Sequence, residues 1–360
     1  MPTSCVCWHH ILKTHVIFIC RFVGCLSLAL FLAAPFPVLA ESDQRIVDDP
    51  VYTGPSRLVE IGTGRKLNLY CTGAGSPVVV FESGLGDSTK SWGLVQPEVS
   101  RRTRACSYDR AGLGFSDAAN FPRTSANAAE DLSKLLQAAG EHPPFVLVGH
   151  SYGGMIVKLF AFTHPSEVAG VVLVDPSHED VGRELFALDP QSREKNLKYL
   201  EQLQSCVVRE GPSPLTDEDF ASLCIAEAGP RYSESIRTSD RLLATQPQRI
   251  AAWVSEMQNI WQVSADQVRD EARSLGDIPL VVITKEPSRP NQDETPALRE
   301  KKNAALSRQH DQTAALSSQG RRILLKDSGH YIQLDQPSAV IEAILQVLGH
   351  QPPETHEDTP

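Results

Sequence analysis

Apolar and polar positions alternate through RLVEIGTGRKLNLYC (57–71), where two segments flank Gly-Thr-Gly-Arg, the signature of an antiparallel hairpin. Farther on, the alternation gives way to short runs rich in Val, Ile and Leu. These are PVVVFESG (77–84), TRACSYDR (103–110), FVLVGH (145–150), VAGVVLVDP (168–176), IPLVVITKE (278–286) and RRILLKDSGH (321–330). A run without a polar face needs cover on both sides, so these predict strands of a mostly parallel sheet. Between them the period lengthens. Leu132, Leu135, Leu136 and Ala139 fall on one helical face, closed by Gly140 and by Pro143 and Pro144. Helical patterns also run from Met155 to Phe162 and through PSAVIEAILQVL (337–348). Strands and helices in this order predict an α/β architecture, a mostly parallel central sheet flanked by helices and opened by a hairpin.

The alternation stops between 177 and 275, where helical periods, many charges, Trp253 and Trp261 occur without a convincing strand. This predicts a helical cap (177–275) inserted between two parts of the sheet domain (57–176 and 276–349). Residues 41–56 read as a linker, and the polar, proline-rich segment 350–360 as a disordered tail.

Apolar residues make up 41% of the 360-residue chain and charged residues 22%, the balance of a globular protein with length enough for a large core. The first 40 residues depart from that balance. They hold Lys13, Arg21 and no acid, then FVGCLSLALFLAAPF, then Val38-Leu39-Ala40. Such an order predicts a secretory signal peptide cut after Ala40 and a secreted or periplasmic protein; an uncleaved anchor is the alternative. Cleavage would remove two positive charges and take the formal charge from −10 to −12. An acidic chain with no basic cluster argues against nucleic acid, and against a stable membrane partner after cleavage. Cys71, Cys106, Cys206 and Cys224 would remain, an even number in an oxidising compartment, with Cys206 and Cys224 the favoured local pair. No Cys/His spacing suggests a metal, and no cofactor is implied.

The chemistry is centred on GHSYGG (149–154), which falls between a predicted strand and a predicted helix. Gly149-x-Ser151-x-Gly153 in that context is a nucleophile elbow, a tight turn that exposes the serine hydroxyl. A serine hydroxyl needs a base to take its proton. His330, after the last strand in Asp327-Ser328-Gly329-His330, is the candidate; His150 beside the serine is assigned to packing, and His178 to the lining of the pocket. A carboxylate must orient the imidazole. Asp175 ends one strand, Glu286 ends the next, and Asp293 lies on the loop beyond, so position alone leaves the acid open.

The order strand, GHSYGG, VVLVDP, cap, IPLVVIT, SGHYIQLDQP resembles the α/β-hydrolase superfamily, as do FESGLGD (81–87) at the oxyanion loop and YDRAGLGFSD (108–117). The resemblance runs over about residues 57 to 349 and implies an α/β-hydrolase fold and a Ser-acid-His triad in chain order. It also implies an oxyanion hole from the Leu85 and Tyr152 amides. Ser83-Gly84 stands where many relatives carry His-Gly, so that hole is expected from backbone alone. Most relatives place the acid after the post-cap strand, where this chain reads Thr-Lys-Glu; others place it at the position of Asp175, which is therefore preferred, with Glu286 second. Serine at the elbow argues against the dehalogenase and epoxide hydrolase branches, which need a carboxylate there. The expected function is a serine carboxylesterase acting on a small-molecule ester, with an acyltransferase or a silent binding module as alternatives. Trp253, Trp261, Leu185 and Phe186 are candidates for lining its acyl pocket.

Overall fold

The central apolar runs become strands because both of their faces find a partner, while the last, at the sheet edge, is only partly covered. The computed structural model describes residues 45–349 except 63, 208–216, 226–227 and 291–292. The expected signal peptide (1–40) and tail (350–360) lie outside the described residues. The strands are β1 (Arg57–Glu60), β2 (Lys66–Thr72), β3 (Val78–Glu82), β4 (Ala105–Tyr108), β5 (Phe145–His150), β6 (Val168–Val174), β7 (Leu280–Lys285) and β8 (Gly320–Leu325). They form one sheet in the order β1-β2-β4-β3-β5-β6-β7-β8. The β1–β2 hairpin and the β2–β4 pair are antiparallel, and every other pair is parallel.

The helices are α1 (Gln96–Val99), α2 (Ser125–Ala139), α3 (Tyr152–Thr163), α4 (Val181–Leu188), α5 (Pro190–Val207), α6 (Asp217–Cys224), α7 (Glu234–Ala244), α8 (Pro247–Asn259), α9 (Val263–Glu271), α10 (Pro296–Ala314), α11 (Ile332–Asp335) and α12 (Pro337–Gly349). Alternate residues of each strand serve opposite faces. Val78, Val80, Leu147, Val171 and Leu173 pack with Leu132 and Leu135 of α2 and Met155 and Phe160 of α3. Val79, Phe81, Val146, Val148 and Val172 pack instead with Val340, Ile344 and Val347 of α12.

The structure departs from the sequence reading in three places. Residues 41–56, expected as a linker, are built into the fold from residue 45 onward. Val47 forms a parallel bridge with Tyr232 of the cap region, and Val47 and Tyr52 are buried against Leu94, Ile236 and Leu334. The apolar side chains of this segment hold it down. The expected cap also reaches too far, because Ala265 and Val268 of α9 are buried in the same cluster as α2 and α3. Lastly, α10 had no apolar stripe to reveal it: its buried side is Lys302, Ala305, Gln309, Thr313 and Ala314.

Two disulfides staple the fold. Cys71 and Cys106 are register partners across β2 and β4, and Cys206 joins Cys224 as expected. The second links α5 to α6 beside Ile250 and Val254 of α8. Replacing Cys206 and Cys224 with serine is expected to cost about 3 kcal/mol of unfolding free energy in the loop-entropy model. Denaturant titration reads that loss, and hydrogen exchange should rise in α5 and α6 while β3 and β5 stay protected. Unchanged exchange in α5 and α6 would show that the bridge does not hold the cap.

Candidate active site

Between β5, which ends at His150, and α3, which begins at Tyr152, residue 151 alone makes the turn. Ser151 adopts φ 51° and ψ −119°, a region side-chain-bearing residues rarely enter. Its N–H donates to Val174 O at 3.1 Å, and its carbonyl accepts from the N–H groups of Gly154 and Ser177, both at 2.9 Å. Two glycines admit this path. A Cβ on Gly149 would lie 2.7 Å from Gly153 O, and one on Gly153 would lie 2.5 Å from Glu82 O.

The strand order reverses at β3, which has β4 on one side and β5 on the other, and Glu82 registers with Gly149. A crevice at the carboxyl ends of such strands is the ordinary ligand site of an open α/β sheet. Here it brings the turn Ser83–Asp87 beside Ser151: Asp87 N–H donates to Gly84 O at 3.2 Å, and a Cβ on Gly84 would lie 3.4 Å from Ser151 Cβ. The Leu85 amide and the Tyr152 amide, at the first position of α3, donate to no group among the described residues.

Asp175 follows β6 with φ 39°, its N–H on Ile283 O at 2.7 Å. His330 lies between β8 and α11, and its Nδ1 is 2.6 Å from Asp175 Oδ2. Burial raises the Asp175 carboxyl, but the hydrogen bond and charge of His330, helped by His310 and Lys285, outweigh it and hold it below its ordinary value. No hydrogen bond joins Ser151 Oγ to His330 among the described residues. Glu286 makes no hydrogen bond to His330 either, and Asp293 pairs with Lys195 at 2.9 Å on the surface. Of the three candidate acids, Asp175 alone meets the histidine.

His150 does more than pack. It is buried, its Nε2 is 2.9 Å from the carbonyl oxygen of His330, and the two rings lie 4.7 Å apart. A carbonyl only accepts, so Nε2 carries the proton and donates, while Nδ1 is buried without a partner. Burial, then the nearby His330, lowers its pKa to about 4. His178, expected to line the pocket, is instead buried beside Glu179, with Nδ1 accepting from Asp180 N–H at 3.1 Å. Burial and the Lys158 charge lower its pKa to about 4.

Sequence reasoning did not single out Arg110, the cation that braces this crevice. Arg110 Nε and Nη2 donate to Glu256 at 2.7 and 2.9 Å, and Nη1 donates to Glu82 and to Ser83 O, both at 2.7 Å. A second Nη2 bond reaches Gly84 O at 2.7 Å, and Gly86 N–H donates to Glu256 at 2.8 Å. Arg110, Glu82 and Glu256 are each 1% exposed.

A cavity of about 400 Å³ reaches Leu85 and His330 and is walled by cap residues, among them Ile250 and Trp253. Trp261, Leu185 and Phe186 do not line it. Cys71, Cys106 and Glu141 cluster elsewhere, but the cysteines form a disulfide and Glu141 holds Arg104 at 2.6 Å, so those groups are already engaged.

The model of the alpha/beta hydrolase fold family matches residues 77–337. An "AB hydrolase superfamily protein" of Gibberella zeae is 27% identical over 290 residues, 76% of this chain and 86% of that one. The uncharacterized protein YqjL of Bacillus subtilis is 33% identical over 124 residues, 34% of this chain and 48% of its own length, so the chain matches about half of that relative. Among solved structures, a thermophilic esterase from Thermogutta terrifontis superposes with a TM-score of 0.55 at 21% identity, covering 82% of this chain and 96% of that one. Epoxide hydrolase CorEH does so with 0.53 at 16% identity, covering 82% and 98%. At such identities the two structures share the fold alone. With the family match spanning most of the described residues and the strand order in agreement, this chain belongs to the alpha/beta hydrolase fold family.

Proposed function

We propose that the protein is a secreted or periplasmic serine hydrolase that cleaves carboxylic esters through an acyl-enzyme intermediate. The observation that carries this reading is the 2.6 Å contact of Asp175 with His330 beside a strained Ser151. Asp175 accepts the Nδ1 proton, which leaves the Nε2 lone pair of His330 free to act as base. Ser151 Oγ then attacks the ester carbonyl as Nε2 takes its proton. The Leu85 and Tyr152 amides, which have no other acceptor among the described residues, hold the oxyanion. His330 returns the proton to the leaving alcohol, and water releases the acid by the same steps. Catalytic serine–histidine bonds are often open in unliganded enzymes and tighten on the substrate. The fold likeness to an epoxide hydrolase does not extend to the elbow chemistry, since residue 151 is a serine without a carboxylate to form the ester. Two disulfides support the exported location.

The neutral His150 belongs to the same machinery as a positioning residue, because its Nε2–H fixes the backbone of the base. Its folded-state pKa of about 4 lies below the ordinary value of 6.5. The stabilisation is therefore full above pH 6.5 and is lost as the pH falls through about 4.

Three outcomes follow from these assignments. A fluorophosphonate should label wild type once, at Ser151, and p-nitrophenyl esters should be turned over by wild type and not by Ser151→Ala. Failure to label folded protein would overturn the serine-hydrolase reading. Asp175→Asn should lower kcat by about 10⁴-fold, as losing the tautomer-fixing acid does in such triads; full activity would move the acid to Glu286. Between pH 7 and pH 4, unfolding free energy should drop by about 3 kcal/mol through His150, with His178 adding a similar share. His150→Gln should flatten that slope in denaturant titrations, and an unchanged slope would show that His150 does not titrate as described.

A further inference from the structure

The cavity beside His330 has a wall unsuited to a plain alkyl chain. Lys90, buried, spends its ammonium donors on Asp87 Oδ1 at 3.0 Å, Ser88 Oγ at 3.2 Å and Asp240 Oδ1 at 3.2 Å. Arg249 is different. It is 8% exposed and donates once, from Nη2 to Asp240 Oδ1 at 3.3 Å. Its other guanidinium N–H groups have no partner among the described residues, and neither do Asp87 Oδ2 and Asp240 Oδ2, although all three residues line the cavity.

Three acids (Asp87, Asp240, Asp335) and three bases (Lys90, Arg231, Arg249) line the cavity and balance, so the wall has no net charge with which to attract an ion. A carboxylate guest would meet Asp87 and Asp240, and an ammonium guest would meet Arg249. A hydroxyl group donates and accepts, so a row of hydroxyls can serve both kinds of wall group at once. The same cavity is lined by Tyr232, Trp253 and Tyr331, whose rings offer apolar faces with a polar tip. Trp253 lies tight against the oxyanion turn, since a Cβ on Gly86 would come within 2.5 Å of its ring. A volume of about 400 Å³ falls within the span of small-molecule sites.

We propose, on the serine-esterase reading above, that the substrate is an ester whose cavity-bound part is polyhydroxylated, of the sugar or sugar-alcohol class, and that Arg249 and Asp240 determine this specificity. Filling the cavity with hydrocarbon would leave their free donors and acceptors unpaired, so the site discriminates against it.

The test compares acetylated methyl glucoside with n-hexyl acetate. Wild type should favour the glucoside in kcat/KM by about tenfold or more, and Arg249→Met should erase most of that ratio through a higher KM for the glucoside. Arg249→Lys keeps a cation for Asp240 but loses the planar fork, and should fall between the two. Ser151→Ala should bind the glucoside ester in calorimetry and not the hexyl ester. Hydrolysis of both esters without preference would overturn the sugar proposal and leave the esterase standing. Binding of the glucoside ester by Ser151→Ala with no hydrolysis by wild type would do the reverse. A wild-type preference for n-hexyl acetate, or a ratio unmoved in Arg249→Met, would also overturn the proposal.

Discussion

The candidate site depends on one buried cation. Arg110 lies where water cannot reach it, and its guanidinium is fully used by Glu82, Glu256 and two carbonyls of the Ser83–Gly84 segment. Removing one partner of such a pair leaves an uncompensated charge, at a cost of about 3 to 5 kcal/mol. The geometry of the ion is therefore imposed on everything that touches it. Glu82 ends β3, Ser83 and Gly84 lead to the Leu85 amide, and Glu256 belongs to α8 of the cap. A single guanidinium thus ties strand end, the Ser83–Asp87 turn and cap together. The turn that follows it serves to hold it in place. Asp109 accepts from Thr89 N–H, Phe115 N–H and Asn68 Nδ2, and a Cβ on Gly114 would come within 2.2 Å of its carboxylate.

That rigidity has a counterpart in backbone strain. Among the described residues, the non-glycine positions with positive φ are Ser151, Asp175 and Asp327. They are the elbow serine, the residue paired with His330, and a residue three positions before that histidine. Conformations of this kind cost on the order of 1 to 3 kcal/mol each and persist only where their surroundings over-determine them. At Ser151 the surroundings are three backbone hydrogen bonds and two glycine-only approaches. At Asp175 they are the Ile283 carbonyl and the His330 ring. Strain concentrated at these places, on a sheet buried on both faces, fixes the directions of side chains that a relaxed loop would let wander.

What the sequence made legible follows from how local each feature is. Eight strands could be read because each carries its own local pattern, alternation in the first two and an apolar run in the other six. Ser151 could be read because strand, turn and helix are contiguous. Asp175 was one of two strand ends, and only the folded path of β8 into α11 decides which carboxylate meets His330. Glu256 was out of reach, since its partner Arg110 is 146 positions away and nothing in PQRIAAWVSEMQN marks one acid as buried. The same holds for Val47 against Tyr232, which turned an expected linker into part of the packed fold. Polar burial explains α10, whose inward face lacks the apolar residues that periodicity detects.

One helix joins the two functions of the cap. Arg249, Trp253 and Glu256 stand at i, i+4 and i+7 of α8, which is the spacing of a single helical face. Glu256 holds Arg110 and the Gly86 amide, while Arg249 and Trp253 line the cavity next to them. A shift of α8 that widened the cavity would also drag on the turn carrying the Leu85 amide. The cavity and the Ser83–Asp87 turn are therefore mechanically coupled. Arg249 and Trp253 shape the cavity, whereas Glu256 fixes the turn beside it, so on the proposed reading the cap can vary its preference only while that acid keeps its place.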